Sequence, residues 1–492
     1  MGVTVDTLEK GMQGADGKTS HKLSMYSTSH IVHNYAVAIF LLANVIIFIW
    51  GKALVVGDLH AMVTITPPKF LDVRPGELDV IVKQFTFISV FRLARDAGQI
   101  GVAVVIFAVT GVWGFLKVVL SGVCWFVPMK AFHREWLLWI NDQLGKFSYV
   151  FLFLIVIGCT AFTLDRELIA GDILKILGNQ NLPGFLKLLP LDEVLVHVKT
   201  AMDTSAGLYL YIIGGVMSII ITQHITTVHF KREGYFKSTS QGTSTQIHKA
   251  LLVPVILVGS FLSFSLFVYG MTLPIFTLHY GGMLGFMLTG NLSTYNSSLN
   301  LIGNYSDTSS REFSLVSVGT RLPAVAYNPF DVGPCVLAMF YFWFCVVSPL
   351  MRSISIAFTW TTFGFKFSTR VRTCALITTQ YLGAWAASEV VLLGFGMATG
   401  LLLPSVIRYM LHVEFPKRSP DLARLMLETC AEFAGFTGTP ECMELSVDFH
   451  KGYWVLVAAS VMGLASVVAS SLILRRHLKL TDHTPAQQPQ SA

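Results

Sequence analysis

The chain has 492 residues, 53% of them hydrophobic and only 13% charged, with 36 phenylalanines and a mean hydropathy of +0.61. A soluble domain carries roughly 25% charged residues, so this composition excludes a soluble globular protein and indicates a polytopic membrane protein. The formal charge of +6 is spread over loops and forms no basic stripe, which excludes a nucleic-acid partner.

Residues 1–33 are polar, lack an apolar h-region and read as a cytoplasmic segment, so the first span itself must target the chain. A span takes about 20 apolar residues. Eight stretches qualify: 34–56, 98–126, 145–164, 207–228, 251–277, 333–359, 375–403 and 453–474. The fold expected is all-α, with eight transmembrane helices in two tandem, parallel four-helix repeats, 34–230 and 251–476. A cytoplasmic linker, 231–250, joins them, and a polar tail, 477–492, follows.

Lys and Arg set the orientation. Lys231, Arg232, Lys237 and Lys249 follow the fourth span, Lys366, Arg370 and Arg372 the sixth, and Arg475, Arg476 and Lys479 the eighth. Both termini are therefore expected in the cytoplasm. Three N-x-[ST] sequons, Asn291, Asn296 and Asn304, cluster in the loop after the fifth span. They read either as a glycosylated exoplasmic loop, in an endomembrane or plasma membrane of a eukaryote, or as incidental matches in a Ser/Asn-rich stretch. Cys430 and Cys442, after the seventh span, read as a disulfide in an oxidising compartment or as two free thiols. No C-x-x-C pair occurs, and no metal or cofactor site is expected.

Short motifs recur in order. Phe85-Thr-Phe-Ile-Ser-Val90 and Phe313-Ser-Leu-Val-Ser-Val318 precede the second helix of each half, and Gly207-Leu-Tyr209 and Gly452-Tyr-Trp454 open the fourth. Val216-Met217 and Val461-Met462 keep the spacing of the latter pair. An even number of spans per unit makes the copies parallel rather than inverted. Each second helix carries a cation, Lys117 or Arg352. One reading is snorkelling to the headgroups. The other is a cation facing the bundle interior or a lipid headgroup.

The third helix of each half opens alike, with Leu144-Gly145-Lys146 and Leu382-Gly383. On that alignment Phe151 stands in the first half where Glu389 stands in the second. Glu389 lies about 15–22 Å into its span at 1.5 Å per residue. An ionisable group at that depth costs a few kcal/mol and is a functional candidate by default. The competing reading is an acid paired with a neighbouring helix. Ser388 is adjacent, and Trp385, one turn earlier, is placed to shield the carboxylate. His224 and His229 read as interfacial, and Asn44 as an interhelical hydrogen-bond partner.

On these motifs the chain resembles the paraquat-inducible protein A family. The carriers are FTFISV and FSLVSV, Ser348-Pro349-Leu-Met-Arg352 with the less faithful Gly111-Val-Trp-Gly-Phe-Leu-Lys117, the Leu-Gly openings with Lys146-Phe147-Ser148 in one half and Trp385 and Glu389-Val390 in the other, and the Gly-led fourth helices. The resemblance covers roughly residues 34–476. The cysteine-rich zinc ribbons of bacterial members are missing, which marks a divergent relative. The resemblance implies lipid handling: membrane lipids as partners, and a partner protein that supplies a conduit. It implies that Glu389 carries a proton and that Arg352, with Lys117 and Lys146, meets headgroups. A non-transporting scaffold and an ion-coupled small-solute transporter are the alternatives. No nucleophile elbow, metal cluster or phosphate loop suggests an enzyme.

Overall fold

The structure is a computed structural model that describes residues 24–28, 31–66, 76–162, 165–169, 195–232, 246–281, 310–326, 331–365, 367–409, 413 and 443–482. Among them, 8 helical runs are long and apolar enough to cross a membrane. The protein is an integral, multi-pass membrane protein whose membrane-spanning part is all-α. In chain order the elements are α1 (Ile31–Ala53), β1 (Gly57–Thr66), β2 (Gly76–Phe85), α2 (Phe87–Asp96), α3 (Ile100–Phe126), α4 (Ala131–Gly145), α5 (Val150–Phe162), β3 (Asp165–Ile169), β4 (Leu195–Thr204) and α6 (Ala206–Arg232). The second half follows with α7 (Gln246–Thr272), β5 (Pro274–Gly281), β6 (Ser310–Ser314), α8 (Leu315–Arg321), α9 (Gly333–Thr362), α10 (Thr369–Trp385), α11 (Ser388–Met397), α12 (Leu403–Tyr409), β7 (Met443–Phe449) and α13 (Lys451–Asp482). The sequons Asn291, Asn296 and Asn304, and Cys430 and Cys442, lie outside the described residues.

Two antiparallel sheets, with strand orders β2-β1-β4-β3 and β6-β5-β7, occupy the connections after the first, third, fifth and seventh spans. With eight crossings, all the described strands fall on one side of the membrane, and the even connections on the other. From the sequence alone these connections read as loops.

Local features recur in the same order in the two halves, at spacings that drift with the intervening loops. Thr86 and Ser314 each cap an amphipathic helix, α2 or α8, through a reciprocal bond with a serine three residues on, Ser89 or Ser317. Asn44 of α1 donates to the Gly214 carbonyl of α6 (2.7 Å), and Ser263 of α7 donates to the Ala459 carbonyl of α13 (2.9 Å). A π-turn interrupts α3 at Phe107–Val112 and α9 at Trp343–Val347, in each case five residues before the cation, Lys117 or Arg352. The caps give the first testable expectation. Thr86→Ala and Ser314→Ala should each cost about 1 kcal/mol, the usual worth of such a cap. Thermal unfolding in detergent measures both, and unequal losses would show that the two caps sit in different settings.

The third span differs from its expected start. It begins at Ala131, not 145, and runs to Gly158. Arg134, Glu135, Asn141 and Asp142 lower its hydropathy, yet all are buried. Of its most apolar window 83% is buried, against 28–61% for the other spans. This helix is therefore central rather than lipid-facing. It packs along the corresponding helix of the other half, α5 on α11 and α4 on α10. A Cβ on Gly383 would lie 3.8 Å from Gln143 Nε2, and one on Gly394 would lie 3.4 Å from Phe153. Residue numbers rise together along this contact, so the two helices run in the same direction. Phe151, Phe153, Phe340, Phe344 and Phe395 fill the core between them.

Candidate functional site

Leu144-Gly-Lys and Leu382-Gly are not helix openings. They lie in mid-span, where both central helices lose regular geometry. In the first half a 3₁₀ turn, Lys146–Tyr149, separates α4 from α5. In the second half α10 stops at Trp385, Ala386 is extended (φ −75°, ψ 110°), and α11 starts at Ser388. No Gly or Pro causes this break. The Ala387 N–H, freed from its helix, donates to the Phe344 carbonyl (3.0 Å) inside the π-turn of α9. A π-turn skips one regular bond and so leaves a carbonyl available. At membrane depth such groups must be satisfied within the protein, so break and π-turn complete one another. In the first half a side chain does this work: the Lys52 ammonium donates to the Gly111 carbonyl of the α3 π-turn (3.0 Å).

The break places Glu389 in the first turn of α11, where the helix dipole favours an anion. Its Oε1 accepts from Arg352 Nη1 at 2.7 Å, and its Oε2 accepts from Lys146 Nζ at 2.9 Å. Both are charge-assisted bonds of normal length. Lys146 comes from the first half and Arg352 and Glu389 from the second, so the carboxylate is held within its own half by Arg352 and tied to the other half by Lys146. Side-chain exposures are 2% for Lys146, 3% for Arg352 and 13% for Glu389.

Lys117 extends the cluster. It is 2% exposed, and its ammonium lies against Gly145, where a Cβ would come within 2.5 Å of Nζ. Asp142, one turn before Lys146, is the acidic group within Coulombic reach of Lys117. Counting Lys117, Lys146 and Arg352 against Asp142 and Glu389, the cluster carries one net positive charge. The three cations are thus buried in protein. They do not snorkel to the interface, because each is enclosed by neighbouring helices well inside its span.

Ser388 and Trp385 do not bond the carboxylate. Ser388 is 3% exposed, with its hydroxyl unpartnered among the described residues, as are Ser348 Oγ and Arg352 Nε. Trp385 donates instead to Gln223 Oε1 of α6 (3.3 Å) and packs on Phe344 with ring centroids 5.3 Å apart. Phe151, at the position matching Glu389, packs edge-on against Phe87 and Tyr211. Asn44 makes the interhelical bond described above. His224 is exposed and sits 5.6 Å from the His33 ring, whereas His229 is buried. Asp142, Lys52 and Gln223 were not singled out in the sequence. Asp142 had a usable signal: it precedes Lys146 by four residues on one helix face.

Fold and site together define a polytopic membrane protein whose halves are joined at mid-span by a buried ion cluster beside two interrupted helices. Comparison with protein-family models, curated proteins and solved structures finds no match to this chain.

Proposed function

We propose that the protein is a lipid transport or transfer component, built from two parallel four-helix units, in which the Lys146–Glu389–Arg352 cluster couples the halves. The observation that carries this reading is the interruption of both central helices at corresponding places, with charge bridging the halves there. Discontinuous helices near the membrane midplane, in matching positions of two repeats, mark substrate sites in transporters. A positive cluster beside aromatic walls suits an amphiphile with an anionic head: Tyr149 lies 5.3 Å from Phe340 and 4.9 Å from Phe344 between ring centroids. The resemblance to the paraquat-inducible protein A family supports the same substrate class. In this reading Glu389 is a latch. An incoming anion, or a proton on the carboxylate, frees Lys146 and Arg352 and lets the halves separate. Both termini face the cytoplasm, and the sheets face the opposite side, where a partner conduit would dock.

The test is direct. Protein purified in mild detergent should retain phospholipid detectable by mass spectrometry, and should exchange labelled phospholipid between liposomes, with Lys146→Met and Glu389→Gln each slowing exchange. No retained phospholipid and no exchange would overturn the reading. The broken helices also favour an ion-coupled small-solute transporter. Uptake of a small anion into protein-containing liposomes, with no lipid exchange, would select that second reading.

A further inference from the structure

We propose that the groove between α9 and α10 at the Arg370 end of the second half is a binding site for one anionic phospholipid. A cavity of about 320 Å³ opens there, bounded by Ser355 and Phe358 of α9 and by Arg370, Val371, Cys374, Ala375 and Thr378 of α10. Its volume is at the small end of the range for ligand sites, about 300–1,000 Å³.

At four lining positions the second half uses small residues where the first half uses large ones, while Phe358 stands where the first half has Val123. Lys117 and Arg352, each five residues beyond a π-turn, put α3 and α9 in register at a spacing of 235. Leu144-Gly145 and Leu382-Gly383 put α4 and α10 in register at a spacing of 238. On these registers Leu120 is matched by Ser355, Trp136 by Cys374, Leu137 by Ala375 and Ile140 by Thr378. Four replacements of bulky side chains by small ones leave a slot with mostly apolar walls.

Arg370 supplies the polar end. It is exposed and makes no hydrogen bond or ion pair among the described residues. Arg372, two residues on, is committed to the structure and donates to the Thr362 and Phe365 carbonyls (both 3.1 Å). A slot that faces membrane, with an uncommitted guanidinium at the end of its span, matches a chain-bearing phosphate headgroup in shape and charge. A soluble phosphate would leave the apolar walls unfilled, so the occupant is a lipid. The site lies on the outside of the helix bundle, apart from the Glu389 cluster, and a non-transporting scaffold would carry it equally.

Cys374, a free and exposed thiol in the groove wall, reports occupancy. The full chain would be placed in nanodiscs of phosphatidylcholine alone, or with one part in four phosphatidylglycerol, and treated with a membrane-permeant maleimide. The peptide containing Cys374 is then quantified by mass spectrometry. Phosphatidylglycerol should slow Cys374 alkylation by about fivefold, the factor that one arginine near the surface is worth. Arg370→Gln should abolish that protection while leaving the rate in pure phosphatidylcholine unchanged. Native mass spectrometry gives a second reading: Cys374→Trp and Arg370→Gln should each lose one retained phosphatidylglycerol relative to the parent. Equal alkylation in both lipids, protection that survives Arg370→Gln, or equal protection by inorganic phosphate in detergent would each overturn the assignment. None of these results depends on lipid exchange, so failure here is distinguishable from failure of the transport reading.

Discussion

Glu389→Gln should destabilise the protein more than any other single change in the ion cluster, by about 3–5 kcal/mol, the cost of stripping a buried charge of its partner. The reason is charge arithmetic. Lys146 and Arg352 share one carboxylate, at 2.9 and 2.7 Å, with side chains 2% and 3% exposed. Neutralising the acid leaves two buried cations facing each other. Neutralising one cation leaves a complete one-to-one pair. Lys146→Met should therefore be much milder than Glu389→Gln, although it removes the one ion pair that crosses between the halves in this cluster among the described residues.

The double variant separates this account from simple loss of packing. With Lys146→Met already present, Glu389→Gln exposes a single cation rather than two, so its added cost should fall. A double-mutant cycle on thermal unfolding in detergent reads the coupling. If Glu389→Gln is as stable as the parent, or if the cycle is additive, the carboxylate does not hold these cations, and the latch in the transport reading fails with it. Even where Glu389→Gln gives no folded protein, the Lys146→Met and Arg352→Met variants keep the comparison open, because each leaves a neutral pair.

The eight spans were legible because bulk hydropathy is a sum over about 20 residues and tolerates local error. Glu389 was legible for the converse reason: one acid in an apolar run has nowhere to hide. Its partners were not. Lys146 is 243 residues away in the chain, and pairing across that separation is a property of tertiary packing. The break after Trp385 left no local mark either. Ala386 and Ala387 are good helix formers, and the interruption depends on a carbonyl that α9 offers through its π-turn. The late start assigned to the third span has a simpler cause. Residues 131–145 carry Arg134, Glu135 and Asp142, and a hydropathy reading treats buried charge as loop. The sheets had a usable signal in Leu78, Val80 and Val82, which alternate with polar neighbours over most of β2.

Gly207→Ala and Gly452→Ala are expected to be among the most damaging glycine substitutions, and to be damaging alike. Each glycine opens the last helix of its half where the chain passes the end of the first helix. The Gly207 N–H donates to the Val55 carbonyl at 3.0 Å. A Cβ on Gly207 would overlap that carbonyl oxygen and lie 2.9 Å from both the Val55 carbonyl carbon and the Leu54 oxygen. A Cβ on Gly452 would overlap the Pro274 oxygen and lie 2.9 Å from the Leu273 Cβ. These obstacles are mostly backbone, which no rotamer change can move. The helix pairs α1–α6 and α7–α13 must part at that end, at a cost of about 3 kcal/mol each, the upper range for overpacking. The same displacement loosens β1 from β4 and β5 from β7, since both sheets are hung from these crossings. Gly158→Ala is the control. A Cβ there meets nothing within 4 Å, so Ala should be neutral or stabilise its helix by up to about 1 kcal/mol. Thermal unfolding of the three variants decides the matter. Comparable losses at Gly207 and Gly452 with none at Gly158 are the expected pattern. A tolerated Gly207→Ala would mean that the first and last helices do not approach as closely as this geometry requires.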